Sequence, residues 1–418
     1  MGMVRLVAFL GCVAVAQGAE DLTVVVRSGA HDRQDTPVRL EIPADRLPSD
    51  LVAALTRGPK AVSLLERSGG VKVTGQLDRP SDGSPRLTFL LPGRTPAGQT
   101  RRFTIESIAS DDGSWPWAIS EASEASIDLR NRDKFVFRYN RVPVSHPKYP
   151  AIQNRDAYIH PAHTPSGALI TGDFSPSHPH HRGFFLAYAR TELGDLRPDF
   201  WNIHNGTAKI HFDGLDAAVA GPVTARLVTR HRWEAKGAEG PVLQERWEVE
   251  AYDVPGTPFW MFDVTSTQRA VDRPLVLPPY RYGGMAYRGP EPFVKGALGV
   301  LTSEGHDNRK TADQKPARWI DLTGPVAEGS DQYGGAVMFD HPTNLNHPSV
   351  VRIHPTSLPF FSFVPSHDTR VTIPADRPIV FRYRVVIHDG RPDRALDQRL
   401  WHDYSEPPTA EIGARPTR

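Results

Sequence analysis

The sequence predicts a mainly β fold built from antiparallel β-sandwiches. Short runs alternate apolar and polar residues, and they are rich in β-branched and aromatic side chains, which is typical of half-buried strands. The chain carries 39 prolines and 34 glycines, which divide these runs at short intervals. Helical periodicity is rare. Many short strands joined by turns are characteristic of sandwich architectures.

The clearest predicted strands share this two-residue alternation. They lie at residues 22–27, 38–42, 135–139, 223–228, 242–249, 259–264 and 379–387. One segment instead has helical periodicity, from Arg394 to Tyr404, with Asp393 as its N-cap and two prolines at 407 and 408 beyond its end.

The composition predicts four segments. We expect a signal peptide over residues 1–19 and a small N-terminal β-sandwich over residues 20–120. A large antiparallel β-sandwich is expected over residues 130–390, and a C-terminal helix with a loose tail over residues 391–418.

The first residues predict export. Arg5 precedes an apolar run from Leu6 to Ala16, and small residues follow at Gly18 and Ala19. This pattern is typical of a Sec-type signal peptide and is too short to span a bilayer. We therefore expect a periplasmic or secreted protein. Lipidation at Cys12 is not expected, because the residues before it are a poor lipobox and the apolar run continues past it.

The remaining composition excludes several partners. Cys12 is the single cysteine of the 418 residues, so the mature chain would have no disulfide and no thiolate ligand. Lys and Arg number 49 against 48 Asp and Glu, a balance that does not indicate nucleic acid or an anionic membrane as partner. No apolar run long enough for a membrane span follows the leader, and nothing in the sequence indicates the oligomeric state.

A histidine-rich segment is the strongest candidate site. Residues 178–183 read His-Pro-His-His-Arg-Gly and open an apolar segment predicted as a strand, with Asp173 upstream. A histidine can act as general acid or base near neutral pH, and an arginine can bind a carboxylate. His180 or His181 would be the acid/base, Arg182 the anion clamp, and Asp173 or Glu304 the carboxylate partner. An extended backbone would place His178 and His180 on one face, with His181 on the other. The structural alternative is a loop whose histidines only cap carbonyl groups.

Other residues would complete this site. Aromatic and polar side chains that could bind a sugar or another small molecule are Trp201, His204, Tyr282, Tyr287, Arg288 and Asn344. A second interpretation of the histidines is a site for a divalent metal ion or copper, with His160, His178 and His180 as ligands. Their spacing matches no standard zinc motif.

Several of these motifs, taken in order, resemble a known family. They are Tyr158-Ile-His160-Pro, the 173–183 segment, Phe200-Trp201, Tyr282-Gly-Gly to Arg288-Gly, the 318–324 and 340–344 segments, and the 383–390 segment. Over roughly residues 130–390 the chain is similar to a bacterial family of unknown function known as methane oxygenase PmoA, or PmoA-like. Because no span-length apolar run follows the leader, methane oxidation itself is not expected. By analogy of fold, the large sandwich also resembles the galactose-mutarotase-like supersandwich of sugar epimerases and some polysaccharide lyases.

Three functions remain open on this reading. The first is a carbohydrate-active enzyme of hydrolase, lyase or epimerase type, acting on a glycoside or an oxidised sugar. The second is a metal-dependent enzyme that uses copper or zinc. The third is a non-catalytic module that binds a glycan. The sequence does not determine which of these functions the chain has.

Overall fold

The computed structural model describes residues 22–80, 83–109, 115–296, 298–356 and 358–413. The predicted signal peptide lies outside these residues. The chain divides into two compact units. The first comprises Met1–Trp115, Gly221–Val223 and Pro408–Arg418, and the second comprises Pro116–Ala220 and Thr224–Pro407.

The strands are listed here in chain order. The first thirteen are β1 (Thr23–Arg27), β2 (Arg33–Glu41), β3 (Lys60–Glu66), β4 (Lys72–Asp78), β5 (Arg86–Thr95), β6 (Thr100–Ala109), β7 (Trp117–Ser123), β8 (Ser126–Asn131), β9 (Lys134–Asn140), β10 (Tyr158–Ala162), β11 (Phe184–Tyr188), β12 (Ala208–Ala220) and β13 (Thr224–Ala235). The others are β14 (Pro241–Tyr252), β15 (Phe259–Ala270), β16 (Leu275–Leu277), β17 (Gly283–Arg288), β18 (Gly299–Thr302), β19 (Lys315–Pro316), β20 (Trp319–Pro325), β21 (Tyr333–Asp340), β22 (Val350–Ile353), β23 (Phe360–Val364), β24 (Val371–Ile373), β25 (Ile379–Asp389) and β26 (Thr409–Ile412).

Helices are few and short within the described ranges. The α-helices are α1 (Ser49–Ala54), α2 (Pro292–Lys295), α3 (Arg309–Ala312) and α4 (Arg394–Ser405). Single 3-10 turns lie at Ala44–Arg46, Leu55–Arg57, Ala151–Gln153 and Ile203–Asn205. No helix in the described part of the chain has the length and apolarity that crossing a membrane would require.

The first unit is a seven-stranded antiparallel sheet in the order β2-β5-β4-β3-β6-β1-β26. Its apolar side chains form one core that includes Val38, Leu64 and Phe103. The expectation of a loose C-terminal tail is wrong for residues 409–412. These residues pair with β1, and Ile412 packs against the core, because β1 would otherwise expose an unpaired edge.

The second unit is a sandwich of two large sheets. The nine-stranded sheet has the order β19-β22-β23-β17-β11-β10-β9-β8-β7, and the eight-stranded sheet has the order β12-β13-β14-β15-β25-β21-β20-β18. A small sheet pairs β16 with β24. The large sheets face each other, since Phe262 of the eight-stranded sheet contacts Phe137 and Phe184 of the nine-stranded sheet at ring-centroid distances of 5.2 and 6.0 Å. The mainly β prediction is confirmed, with 50% strand and 10% helix among the described residues.

Alternation along the nine-stranded sheet separates its two faces. Phe184 of β11 stacks on Tyr287 of β17 in the core between the sheets, at 4.9 Å. Their chain neighbours Phe185 and Arg288 therefore project from the opposite face. Phe360 lies directly across from Arg288 in the ladder and belongs to this outer face as well. The outer face is where the candidate site lies.

The C-terminal helix agrees with the sequence prediction. Asp393 accepts hydrogen bonds from the backbone amides of Ala395 and Leu396, which caps α4. Leu400, Trp401 and Tyr404 then pack with β20, β21 and β25 residues in a separate apolar cluster.

A carboxylate is buried between the two large sheets of the second unit. Glu245 of β14 accepts hydrogen bonds from the ring nitrogens of His231, Trp233 and Trp247, at 3.0, 3.0 and 2.7 Å. Ser266 and Gln268 also donate to it, at 2.5 and 3.1 Å. Burial alone would raise the pKa of Glu245, but these donors hold it below the ordinary value.

We expect the Glu245→Gln variant to lose about 3–5 kcal/mol of unfolding free energy. The amide NH2 of glutamine would point at groups that themselves donate hydrogen bonds, and His231 would lose its carboxylate partner. Denaturant titration measures this loss. Glu239→Gln, at the exposed tip of the same hairpin, is the matched control and should stay within about 0.5 kcal/mol of wild type. Equal stability of the two variants would contradict the role of this network.

A second buried polar group lies where α4 covers the eight-stranded sheet. His388 of β25 contacts Asp321 of β20, Nε2 to Oδ1, at 3.3 Å. Burial lowers the pKa of His388, yet the nearby carboxylate of Asp321 raises it to about 9. Burial, together with the charge of Asp321, raises the pKa of Asp397 in α4 to about 8.

Both shifts predict a loss of stability as the pH rises. The folded state holds a proton on His388 that the unfolded chain releases above 6.5, so its contribution disappears between pH 6.5 and about 9. The folded state likewise holds a proton on Asp397 that the unfolded chain releases above pH 3.8, so its contribution to stability disappears between pH 3.8 and about 8. Between pH 3.8 and about 8, the unfolding free energy of Asp397→Asn should therefore fall less steeply with pH than that of the wild type. An unchanged slope would contradict the assignment.

Candidate functional site

A cavity of about 390 Å³ opens on the outer face of the nine-stranded sheet. Five stretches of chain meet there: the loop before β11, the segment between β11 and β12, the residues just before β17, the end of β22 and the start of β23. The lining residues are Ser177, His178, His180, His181, Trp201, Asn202, His204, Arg281, Tyr282, Arg352, His354 and Phe360.

Arg182 holds the histidine loop in place from the side that faces away from the cavity. Its guanidinium donates to Asp173 at 2.7 Å and to the carbonyls of Pro179 and Gln153 at 2.5 Å each, and it lies 3.6 Å from the ring centroid of Phe174. Asp173 also accepts from the hydroxyl of Tyr158 at 2.8 Å. Neither Arg182 nor Asp173 lines the cavity. The sequence-based roles of anion clamp and carboxylate partner are therefore replaced by a structural role for the pair.

Gly183 joins this loop to β11 at a point of close approach. A Cβ atom there would collide with the carbonyl oxygen of Ile159. Its amide donates to Gly172, and its carbonyl accepts from the amide of Arg288, at 2.9 and 2.8 Å. A side chain at residue 183 would push the loop away from both neighbours.

The loop forms a turn, which gathers three imidazoles on one side. The amide of His181 donates to the carbonyl of His178 at 3.0 Å. The extended backbone that would place His181 on the face opposite His178 and His180 is therefore not the one found. Ring centroids of the three lie 4.6 to 5.6 Å apart. His204 joins His180 at 5.1 Å, and His354 joins His178 at 5.8 Å.

These imidazoles differ in depth. His181 is buried and stacks on Phe360 at 4.5 Å. His180 is buried as well, whereas His178 and His354 are half-buried and His204 is exposed at the mouth. A ligand in the cavity therefore meets His178, His204 and His354 before the deeper pair.

The surroundings favour the neutral form of four of these histidines, His178, His180, His181 and His354. Burial, with the positive charge of Arg155, lowers the pKa of His180 to about 2. Burial, with His178 nearby, lowers the pKa of His354 to about 4. The pKa of His178 falls below its ordinary value through burial and Arg288, and that of His181 falls well below it, mainly through burial. Neutral imidazole is the form that accepts a proton.

Two arginines lie buried near the histidines. Arg155 donates to the carbonyls of Phe200 and Trp201, and burial lowers its pKa to about 9. Arg288 pairs with Glu291, and burial lowers its pKa to about 10. Both remain cationic at neutral pH. Nη1 of Arg155, and Nε and Nη1 of Arg288, have no hydrogen-bond partner among the described residues.

The cavity wall carries no carboxylate. Among the described residues, its lining contains neither Asp, Glu nor Lys. The hydroxyl of Tyr282 accepts from Asn202 at 3.1 Å, and burial raises the pKa of Tyr282 to about 12. The Arg352 guanidinium pairs with Asp313, which lies outside the lining.

Of the predicted substrate-binding residues, Trp201, His204 and Tyr282 line the cavity. Trp201 is only 1% exposed, so its ring has no free face on which a sugar could stack. It forms part of the cavity wall instead. Tyr287 belongs to the core and donates to the carbonyl of Ile170 at 2.5 Å. Arg288 lies on the outer face without lining the cavity.

The remaining predicted residues lie elsewhere. Asn344 holds its own loop by donating to Asp340 and to the carbonyl of Arg382, each at 2.7 Å. Glu304 pairs with Arg318 at 3.1 Å, away from the cavity lining.

The predicted metal ligands do not assemble as expected. His160 contacts Thr171, Nδ1 to Oγ1, at 2.9 Å and does not line the cavity. In the described ranges, no three of the clustered imidazoles bring their nitrogens within 4.8 Å of one another. The sequence analysis did not select Arg352, His354 or Phe360, which reach the cavity through the pairing of β22 with β23 and of β23 with β17. It also did not select Asn202 and Arg281, although these are chain neighbours of the predicted Trp201 and Tyr282.

We expect Arg182→Lys to lose about 3–5 kcal/mol of unfolding free energy, because an ammonium group cannot reach all three acceptors and the buried Asp173 is left poorly paired. Denaturant titration tests this prediction. Arg377→Lys, on an exposed turn, serves as the control and should stay close to wild type. A stable Arg182→Lys protein would show that the loop is held by other contacts.

The sequence model of a family of unknown function, DUF6807, matches residues 126–402, more than half of the chain. The chain belongs to this family. The assignment to the methane oxygenase PmoA family was wrong, because DUF6807 is the family whose model matches.

Two solved structures are similar to this DUF6807 protein. One is an alpha-mannosidase from Enterococcus faecalis V583, with TM-score 0.42 and 10% identity over 96% of this chain and 47% of that one. The other is a glycosyl hydrolase family 38 protein from Enterococcus faecalis, with TM-score 0.38 and 10% identity over 96% and 49%. The chain thus spans about half the length of each. No curated protein matches its sequence.

Proposed function

We propose that this protein is a carbohydrate-active enzyme that binds a uronic acid residue and removes the proton next to its carboxylate. The observation that supports this most strongly is the composition of the cavity: neutral imidazoles surrounded by cationic arginines, with no carboxylate in the described lining.

The arginines favour an anionic sugar. Arg281 and Arg352 stand in the wall, and the buried Arg155 and Arg288 add positive charge next to the histidines. Arg352 and Arg288 each have one acidic partner, whereas Arg155 has carbonyl partners. A ligand carboxylate would supply the negative charge that the lining lacks, and guanidinium groups recognise carboxylates through paired hydrogen bonds.

The same composition argues against hydrolysis by the usual glycosidase mechanism. That mechanism uses two carboxyl groups, one as acid and one as base or nucleophile. The described lining offers neither. Of the two substrate classes expected from the sequence, the oxidised sugar is therefore favoured over the neutral glycoside.

His178 is the proposed base. It is half-buried, so a ligand can reach it, and its lowered pKa leaves it able to accept a proton at neutral pH. The proton leaves the carbon next to the carboxylate, and cationic arginines stabilise the negative charge that develops. In elimination, that electron pair forms a carbon–carbon double bond as the adjacent carbon–oxygen bond breaks. Tyr282, which is protonated at neutral pH, donates to the leaving oxygen.

The proposed substrate is consistent with an exported enzyme. A polysaccharide is met outside the cytoplasm, and the leader predicted over residues 1–19 would take the chain there. Cell fractionation with N-terminal sequencing of the recovered protein tests this. Recovery from the cytoplasm with the leader intact would contradict it.

Incubation with polyuronates and with their carboxyl-reduced forms tests the reaction. We expect ultraviolet absorbance from an unsaturated product if elimination follows, or deuterium incorporation from heavy water if the proton returns. The carboxyl-reduced polymers should show neither. Turnover of the reduced polymers, or zinc or copper bound in stoichiometric amount and required for activity, would contradict the proposal.

We expect His178→Ala to lower kcat by about 10²–10⁴-fold, the usual contribution of a general base. His306→Ala, a half-buried histidine outside the cavity, is the control. Because the pKa of His178 is lowered, kcat/KM of the wild type should fall only as the pH drops below 6.5. An acid limb above 6.5, or full activity in His178→Ala, would exclude His178 as the base.

A further inference from the structure

We infer that a strip formed by Arg190, Tyr280, Arg281 and Tyr282 extends the cavity and binds further residues of an acidic glycan chain. This inference rests on the proposed function and names the form of its substrate: an oligouronate, bound at more than one sugar residue. Tyr282 and Arg281 line the cavity, whereas Arg190 and Tyr280 lie beyond its lining.

The strip is a continuous series of ring contacts that begins at the cavity wall. Tyr282 contacts Trp201 at a centroid distance of 5.6 Å, and Tyr280 contacts Tyr282 edge to face at 4.6 Å. The guanidinium carbon of Arg190 then lies 4.5 Å from the ring centroid of Tyr280. Arg281 adds a second guanidinium, 5.9 Å from the ring of Tyr282.

The sheet topology brings these residues together. β11 ends at Tyr188, and β17 begins at Gly283, which is the antiparallel partner of Tyr188. Residues just after β11 and just before β17 therefore lie side by side at the same end of this strand pair. Arg190 turns there through a left-handed backbone with φ of 51°, and the amide of Tyr280 donates to the carbonyl of Ser366 at 3.1 Å. A backbone hydrogen bond thus holds the strip at Tyr280.

Arg190 and Arg281 have no acidic partner within the described ranges. Many other exposed arginines of this unit are paired with a carboxylate, for example Arg230 and Arg370. Stacking on tyrosine holds a guanidinium flat while leaving its edge available for hydrogen bonds. An exposed, unpaired and oriented guanidinium suits a planar carboxylate. The half-buried tyrosines between the arginines suit the apolar faces of sugar rings.

This arrangement matches the chemistry of a polyuronate. Each sugar residue of such a chain carries a ring face and a carboxylate, and the strip carries two adjoining aromatic rings with a guanidinium group on each. One uronate in the cavity would leave its neighbours in the chain over the strip. Contacts spread along a chain increase affinity with chain length until the strip is filled.

Isothermal titration with uronate oligomers tests the inference. The ligands are a uronate disaccharide, the matching hexasaccharide, and the carboxyl-reduced hexasaccharide. The wild type should bind the hexasaccharide more tightly than the disaccharide, and added salt should shrink this difference, because exposed charge contacts are screened. The reduced hexasaccharide should lose most of the gain.

Arg190→Ala and Tyr280→Ala should each weaken hexasaccharide binding by about tenfold and leave disaccharide binding within about twofold of wild type. Arg391→Ala is the matched control, because Arg391 stacks on Tyr333 at 3.7 Å outside the cavity lining and the strip. Thermal unfolding of each variant should equal that of wild type, since both side chains are at least partly exposed.

The outcomes separate this inference from the proposed function. Equal affinity of the wild type for both oligomers, or equal weakening of both by the strip variants, overturns the strip. Turnover that needs His178 but is insensitive to the strip variants at every chain length also overturns it, while the proposed function stands. Length-dependent binding that the strip variants abolish, without any turnover, supports the strip and overturns the proposed reaction.

Discussion

The position of the histidine cluster depends on the buried ion pair between Arg182 and Asp173. Arg182 reaches Gln153, Asp173 and Pro179, three points of the chain that no single strand connects. Removing this guanidinium would take a buried donor from a carboxylate and two carbonyls, which costs more than losing an exposed contact. The His178 turn is therefore held in one place before any ligand arrives, as the proposed proton transfer would require.

The electrostatics of the cavity follow from burial and neighbouring cations. Burial, with Arg155 nearby, lowers the pKa of His180 to about 2, and burial, with Arg288 nearby, lowers the pKa of the half-buried His178 below its ordinary value. An anion bound there would reverse part of this effect and raise the pKa of the histidines. If the proposed carboxylate ligand binds, its binding and the basicity of His178 would thus be physically linked, and a neutral ligand of the same shape would not produce that link.

The nine-stranded sheet gives adjacent residues different environments. Tyr287 and Arg288 are neighbours in the chain, yet Tyr287 lies in the core between the sheets and Arg288 lies on the outer face. The same alternation places Phe361 in the core and Phe360 against His181. Adjacent residues of one sequence motif therefore have different roles. Every second side chain packs in the core, and the side chains between them lie on the face that carries the site.

The sequence alone determined the mainly β architecture and the C-terminal helix, because both depend on local signals. The alternation of apolar and polar residues in β25 is one such signal, and the N-cap Asp393 is another. It also indicated the histidine segment, whose residues are contiguous. The tertiary structure decided which side chains share the cavity. His354 and Arg352 arrive through strand pairing, and Arg182 turns inward to a partner nine residues away, since burial and long-range hydrogen bonds depend on the whole fold.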